Sequence, residues 1–162
     1  MSYSASAQRI DRLSDNHISS VTTVAPPQGL NFDMFRKAYS ATFETKWQAQ
    51  VLTRMTQLMA LEQNWDSYGA PVIRRETGMF TLEILEKVMQ PSTPCPDIVP
   101  TSAGGIQVEW HEKGIDLEFH VAAPYECELS FEDNLGVESP VSVELSSNIG
   151  ALQTAVSVLT RR

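Results

Sequence analysis

The chain has 162 residues, 42% of them hydrophobic, which excludes a disordered polymer and suits a single folded unit with room for a tail. Twelve Lys and Arg stand against 20 Asp and Glu, a net charge of −8 that excludes a protein coating nucleic-acid phosphates and suits one that meets a basic partner. No apolar run approaches the ~18 residues of a membrane span, and Met1–Leu13 has no cleavable-signal pattern, so a cytoplasmic location is expected.

Residues 1–30 are rich in Ser, Thr and Ala and close on Ala25-Pro26-Pro27-Gln28-Gly29, the composition of a linker. They read as a flexible or partner-bound tail, through which copies of the chain could self-associate. Residues 31–162 read as one domain.

From Phe32 to about Gln63 apolar residues recur at three- and four-residue steps: Phe35, Tyr39, Phe43, Trp47, Val51, Met55 and Leu58 or Met59. That is helix periodicity. A strict four-residue step drifts by ~40° per step around a 3.6-residue helix, so a break is expected near Thr42–Lys46, with Asp33 as the N-cap. A second helix is expected from Pro71 to Met89, with Ile73, Thr77, Phe80, Ile84 and Val88 inward, and Gly78 weakening it by up to ~1 kcal/mol. Pro91, Pro94, Pro96 and Pro100 forbid further helix.

From Asp97 the period becomes two. Ile98–Thr101 reads as an edge strand because of Pro100. Three amphipathic strands follow, around Val108, Phe119 and Leu129, and Val141–Leu145 reads as a further strand. Ser147–Arg162 reads as a helix capped by Ser146 or Ser147. The fold class is therefore α+β: N-terminal helices packed on a small antiparallel β-meander, then a C-terminal helix.

Lys113-Gly114 is a two-residue hairpin turn. It pairs Trp110 with Leu117 and Val108 with Phe119, which sets Glu109 opposite Glu118 and His111 opposite Asp116. If Ala122–Pro124 closes the next hairpin, Val121 meets Tyr125, Glu118 meets Glu128 and His120 meets Glu126. The polar face then carries a carboxylate row, Glu109, Glu118 and Glu128. Such a row can be merely solvated, can meet Lys and Arg of a partner, or can offer oxygen ligands to a divalent cation. His111 and His120 lie four strand positions apart, ~13 Å, too far to share a metal ion.

Asn64-Trp65-Asp66-Ser67-Tyr68-Gly69-Ala70-Pro71 reads as a helix–helix connector with buried aromatic rings. The same loop, through Trp65, Asp66 and Tyr68, is a candidate ligand or partner site. Gly104-Gly105 enters a strand without a following Lys-Ser/Thr and is a turn, not a phosphate loop. Cys95 and Cys127 form no C-x-x-C pair and read as free thiols, Cys127 in the core. No catalytic motif, metal set or cofactor signature is present, so no catalytic residue, metal or cofactor is expected.

The string at residues 64–71, with Val99-Pro100-Thr101-Ser102, Gly104-Gly105-Ile106-Gln107-Val108-Glu109-Trp110-His111 and Gly114-Ile115-Asp116-Leu117-Glu118, resembles a widespread family of small bacterial and phage proteins. The resemblance covers residues 55–121. It implies a bacterial, phage or mobile-element origin and carries no catalytic assignment.

These readings favour a non-enzymatic factor that binds and blocks or regulates a partner protein, as an antitoxin, immunity or anti-defence protein does. Its contact residues would be Glu109, His111, Asp116, Glu118, His120, Glu126 and Glu128, meeting a basic protein surface, with no direct nucleic-acid binding and no membrane. The alternative is a small-ligand binder or hydrolase in which Asp66, Tyr68, Glu109 and His111 converge in a cleft.

Overall fold

The computed structural model describes residues 45–145 and 149–162, all within the compact unit Phe32–Arg162. The expected tail at 1–30, the first helical stretch from Phe32, the Asp33 cap and the Ser146 or Ser147 cap lie outside the described residues.

Helix α1 spans Lys46–Met59 and buries Trp47, Val51, Leu52, Met55 and Leu58, the inward stripe of its period. It stops four residues before the expected Gln63, and before Asn64: the Ala60 and Leu61 N–H groups turn to the Gln57 and Leu58 carbonyls at 3.2 and 3.1 Å, a tightened last turn that ends the helix at Met59. Helix α2 spans Arg75–Val88 and buries Thr77, Gly78, Thr81, Leu82, Ile84, Leu85 and Val88. It starts after, not at, Pro71. The Pro71 carbonyl accepts the Trp65 Nε1–H at 3.2 Å, and Arg74 is extended (φ −68°, ψ 140°), so residues 71–74 belong to the loop although Ile73 is buried. Gly78 marks a close approach of the helices: a Cβ there would lie 2.6 Å from Met59 Sδ. The glycine that weakens α2 in isolation is what lets it lie against α1.

Strands β1 (Asp97–Pro100), β2 (Ile106–Glu112), β3 (Ile115–Ala123), β4 (Glu126–Asp133) and β5 (Val141–Leu145) form one antiparallel sheet in sequence order. The architecture is α+β. Helix α3 (Gly150–Arg161) buries Leu152, Ala155, Val156 and Leu159. The helices cover one face of the sheet, α1 over β1, α2 over β2 and β3, α3 over β3 and β4. Ile98, Ile106, Val108, Trp110, Ile115, Leu117, Phe119, Val121, Leu129 and Phe131 fill the layer between.

Each tryptophan satisfies its indole N–H on a backbone carbonyl: Trp47 on Gln90 at 3.0 Å, Trp65 on Pro71, and Trp110 on Pro94 at 2.9 Å. The proline-rich 90–96 segment, which cannot be helix, serves two of them as an acceptor rail. No helix among the described residues is long and apolar enough to cross a membrane.

The β2–β3 register is the one that the Lys113-Gly114 turn dictates, with Trp110 on Leu117, Val108 on Phe119, Glu109 on Glu118 and His111 on Asp116. Both turn residues take positive φ (55° and 74°), as a primed hairpin turn requires. The β3–β4 register differs from expectation by two residues. The turn is Pro124-Tyr125, with a bulge between Val121 and Ala123, so Val121 faces Cys127 rather than Tyr125. Proline followed by a residue at positive φ (Tyr125, 68°) is the type II turn pattern. Tyr125 therefore leaves the core; it is 65% exposed and sets its ring edge-on to Phe80, centroids 5.0 Å apart.

Candidate functional site

The face of the sheet opposite the helices is built from the polar phase of every strand. β2 and β3 alternate buried and half-buried residues, and β4 alternates buried and exposed ones. The polar phase places Asp97, Gln107, Glu109, His111, Asp116, Glu118, His120, Glu128, Ser130, Glu132, Ser142 and Glu144 together. Seven of these are carboxylates, and none is Lys or Arg.

The registers set the carboxylates directly against one another. Asp97 faces Glu109, and Glu109 faces Glu118. Asp116 faces Glu132, and Glu128 faces Glu144. Directly opposed like charges destabilise a sheet, and this face carries four such pairs. The expected row is thereby corrected. Glu118 faces Ser130, not Glu128, and His120 faces Glu128, not Glu126. Glu126 opens β4 beside the turn, opposite Ala123. The acids form a wider field than a single row, and Asp97, Glu132 and Glu144 join it unforeseen.

Few groups relieve this charge. His111 Nδ1 lies 2.9 Å from Asp116 Oδ1 and its Nε2 lies 3.5 Å from Glu109 Oε2. The hydrogen bond to Asp116 first, and then the contact with Glu109, raise the imidazole above its ordinary pKa, while Asp116 is lowered by His111 and by the Asn134 amide, which donates at 2.7 Å. Gln107 Nε2 donates to Glu118 Oε2 at 3.2 Å. His120 lies between two shallow hollows. One, of about 310 Å³, is shared with Tyr125, Glu126, Glu128 and Glu144; the other, of about 350 Å³, with Gln107, Glu118, Ser130 and Ser142. Among the described residues no three His, Cys, Asp or Glu side chains converge as a metal set.

The 64–71 loop is tied to itself. Asp66 Oδ1 accepts the N–H groups of Tyr68 (2.8 Å) and Ala70 (3.0 Å), which lowers its pKa, and Asn64 Oδ1 accepts that of Gly69 at 2.7 Å. Asn64 N–H also donates to Ala70 at 2.7 Å. These are Asx-type bonds that hold a loop. The expected burial of both aromatic rings holds in part for Trp65 alone: Tyr68 is 94% exposed.

Asp66, Tyr68, Glu109 and His111 do not form a cleft. Pro71 lies against Gly104, where an added Cβ would meet its Cγ at 2.8 Å. The loop therefore sits at the β1–β2 turn end of β2. At about 3.3 Å per residue, Glu109 and His111 lie roughly 17 and 23 Å further along that strand. Glu109 instead borders a hollow of about 610 Å³ with Gln50, Arg54, Cys95 and Asp97. Both cysteines are free; burial pushes the Cys127 thiol up to about 11 and raises Cys95, so neither is poised as a thiolate.

A further acid escaped the sequence reading. Asp133 ends β4 with its side chain fully buried. Its two oxygens accept from the two terminal guanidinium nitrogens of Arg162, Nη1 and Nη2, at 2.7 Å each, and from the N–H groups of Leu135, Val137 and Glu138. Arg162, foremost among these, holds Asp133 far below the usual carboxylate range. Asp133-Asn134-Leu135-Gly136 carries the turn composition that could have signalled it. This carboxylate fastens the β4–β5 loop to the end of α3 and is structural. Comparison with protein-family models, with curated proteins and with solved structures finds no match to this chain.

Proposed function

We propose that the chain is a non-enzymatic protein-binding factor of a bacterium, phage or mobile element, and that it blocks or regulates its partner by laying the acidic sheet face on a basic surface. The observation that carries this reading is the four opposed carboxylate pairs on a face with no Lys or Arg. A chain selected for stability alone gains by replacing one member of each pair with Lys or Thr. Retaining the field makes sense where cations from outside complete it. Such an interface acts through fast, steered encounter and rejects acidic competitors.

The test immobilises the full chain and its Glu109→Gln, Glu118→Gln, Glu128→Gln triple variant, and passes lysate of the native host over both. The expected result is a protein with a basic surface retained by the wild type, released as salt rises, and lost from the variant. Equal retention by both chains overturns the proposal.

A further inference from the structure

The two edges of the sheet differ. β1 has four residues and ends in Pro100, which has no N–H to offer. Arg54, reaching from α1, donates its Nε–H to the Ile98 carbonyl at 2.8 Å. Short length, proline and a capped carbonyl are the ordinary means of closing an edge to further strands. β5, Val141–Leu145, is one residue longer, and among the described residues no side chain donates to its carbonyls. Pro140 precedes it, but the strand itself holds no Pro, Lys or Arg, and among the described residues no strand pairs with its outer side.

The side chains of β5 also point to what it takes. Val141 faces Phe131, Val143 faces Leu129 and Leu145 faces Cys127, so these three lie on the helix side. Leu145 is buried, yet Val141 and Val143 remain 40% and 39% exposed. Leu135 and Val137, in the preceding loop, are more exposed still. On the other side, Ser142 and Glu144 continue the acidic face, with Glu144 against Glu128. The edge thus offers an apolar step on one side and uncompensated negative charge on the other.

We infer that β5 is the docking edge for an extended partner segment in which apolar residues alternate with Lys or Arg, added to the sheet as a sixth strand. Main-chain hydrogen bonds along the edge supply attachment, and the alternation supplies specificity. Apolar side chains cover Val141 and Val143; the basic ones lie over Ser142 and Glu144 and reach the Glu128 column. A second copy of this chain brings Glu144 where a cation belongs, which makes it the poorer occupant. The inference rests on the proposed function, for it uses the same charge, but it adds a backbone requirement that a purely electrostatic face lacks.

That requirement is the test. The full chain, labelled for amide NMR, is titrated with an acetylated, amidated octapeptide of alternating Lys and Val, and with the same peptide N-methylated at alternate residues, which keeps charge and side chains but removes edge donors. The expected result is perturbation centred on Val141–Leu145 and its β4 neighbours, with about tenfold weaker binding of whichever methylated phase blocks the edge. Equal affinity for all peptides, with shifts on Glu109 and Glu118, overturns edge docking and leaves the acidic-face reading standing. Concentration-dependent shifts at β5 without peptide make a second copy the occupant and overturn it too. Absence of binding by every peptide overturns edge docking alone, since the lysate experiment judges the acidic face separately.

Discussion

Glu109 is the carboxylate with an acid on both sides, Asp97 across one strand gap and Glu118 across the other. Its replacement by Gln removes charge while keeping shape. Opposed Cβ atoms stand ~5 Å apart, which puts the carboxylates at roughly 6 Å. Each pair then repels by about 0.7 kcal/mol in water, and physiological salt halves that. Two neighbours give about 0.7 kcal/mol relieved by Glu109→Gln. The opposing effects are the His111 bridge to Glu109 and the cation of Arg54, which lines the same hollow as Glu109 and Asp97. His111 has a raised folded pKa, so its bridging stability is complete below the ordinary histidine value of about 6.5 and is lost as pH rises through the folded value. At pH values above that folded value the variant should therefore gain up to that amount, about 2 °C in Tm. As pH falls below about 6.5 the gain should shrink toward zero, because the substitution then also discards an ion pair. Urea unfolding followed by tryptophan fluorescence in both pH ranges, in low salt and in about 0.5 M salt, measures it. A variant less stable than wild type above the folded histidine value, or a gain indifferent to salt, refutes the claim that this face repels itself, and the partner argument falls with it.

Leu117→Ala, in the central strand between Trp110 and Phe131 and fully buried, should cost about 3–4 kcal/mol, because the flanking rings are held in the pleat and cannot close the void. Glu118→Ala, one residue on and facing the other way, should stay within about 0.5 kcal/mol; comparable losses from both, in chemical denaturation, would contradict the alternation. Asp133→Asn should loosen the 134–138 loop, seen as faster amide exchange there. Because the folded pKa of Asp133 is depressed, its contribution is present above the ordinary aspartate value of about 3.9 and disappears as pH falls through the lower folded value. The stability gap between wild type and variant should therefore be widest at neutral pH and should narrow in acid; a gap constant with pH would show that the charge on Asp133 is not what holds the loop.

The β2–β3 hairpin was legible because two independent signals agree there. The Lys113-Gly114 turn and the alternating pattern select the same register, and a slip of one residue would turn Trp110 and Phe119 outward. The β3–β4 register was not legible for the converse reason. A shift of two residues preserves every inward and outward assignment, so periodicity cannot distinguish Val121 on Tyr125 from Val121 on Cys127. The Pro124-Tyr125 turn and the bulge before it decide, and Tyr125 resembles a core residue only by its phase. Helix ends failed in a similar way. Ile73 continues the apolar stripe of α2 and is buried, but it reaches the core from an extended segment fastened by Trp65. Of the candidate site, Glu109, His111, Asp116 and Glu118 were correctly juxtaposed from one hairpin. Asp97 and Glu144 were invisible because the turns at 101–105 and 134–140, which set their registers, carry no two-residue hairpin signal.

That last pair changes what the acidic face means. A row across two successive hairpins is a local accident that three strands of solvated Glu can tolerate. Opposed acids recurring across all four strand pairings, from Asp97 at one side to Glu144 at the other, are cumulative, and each addition works against folding. Nothing in the core demands them, since the inward phase is complete without regard to the outward one. The two edges sharpen the point. The edge beside Asp97 is shut by Pro100 and Arg54, whereas the edge beside Glu144 has no strand paired to it among the described residues and is flanked by exposed valines. An acidic field with one closed border and one open one has a direction, and a partner arriving with Lys and Arg on an extended segment can satisfy both the charge and the unpaired backbone from the β5 side.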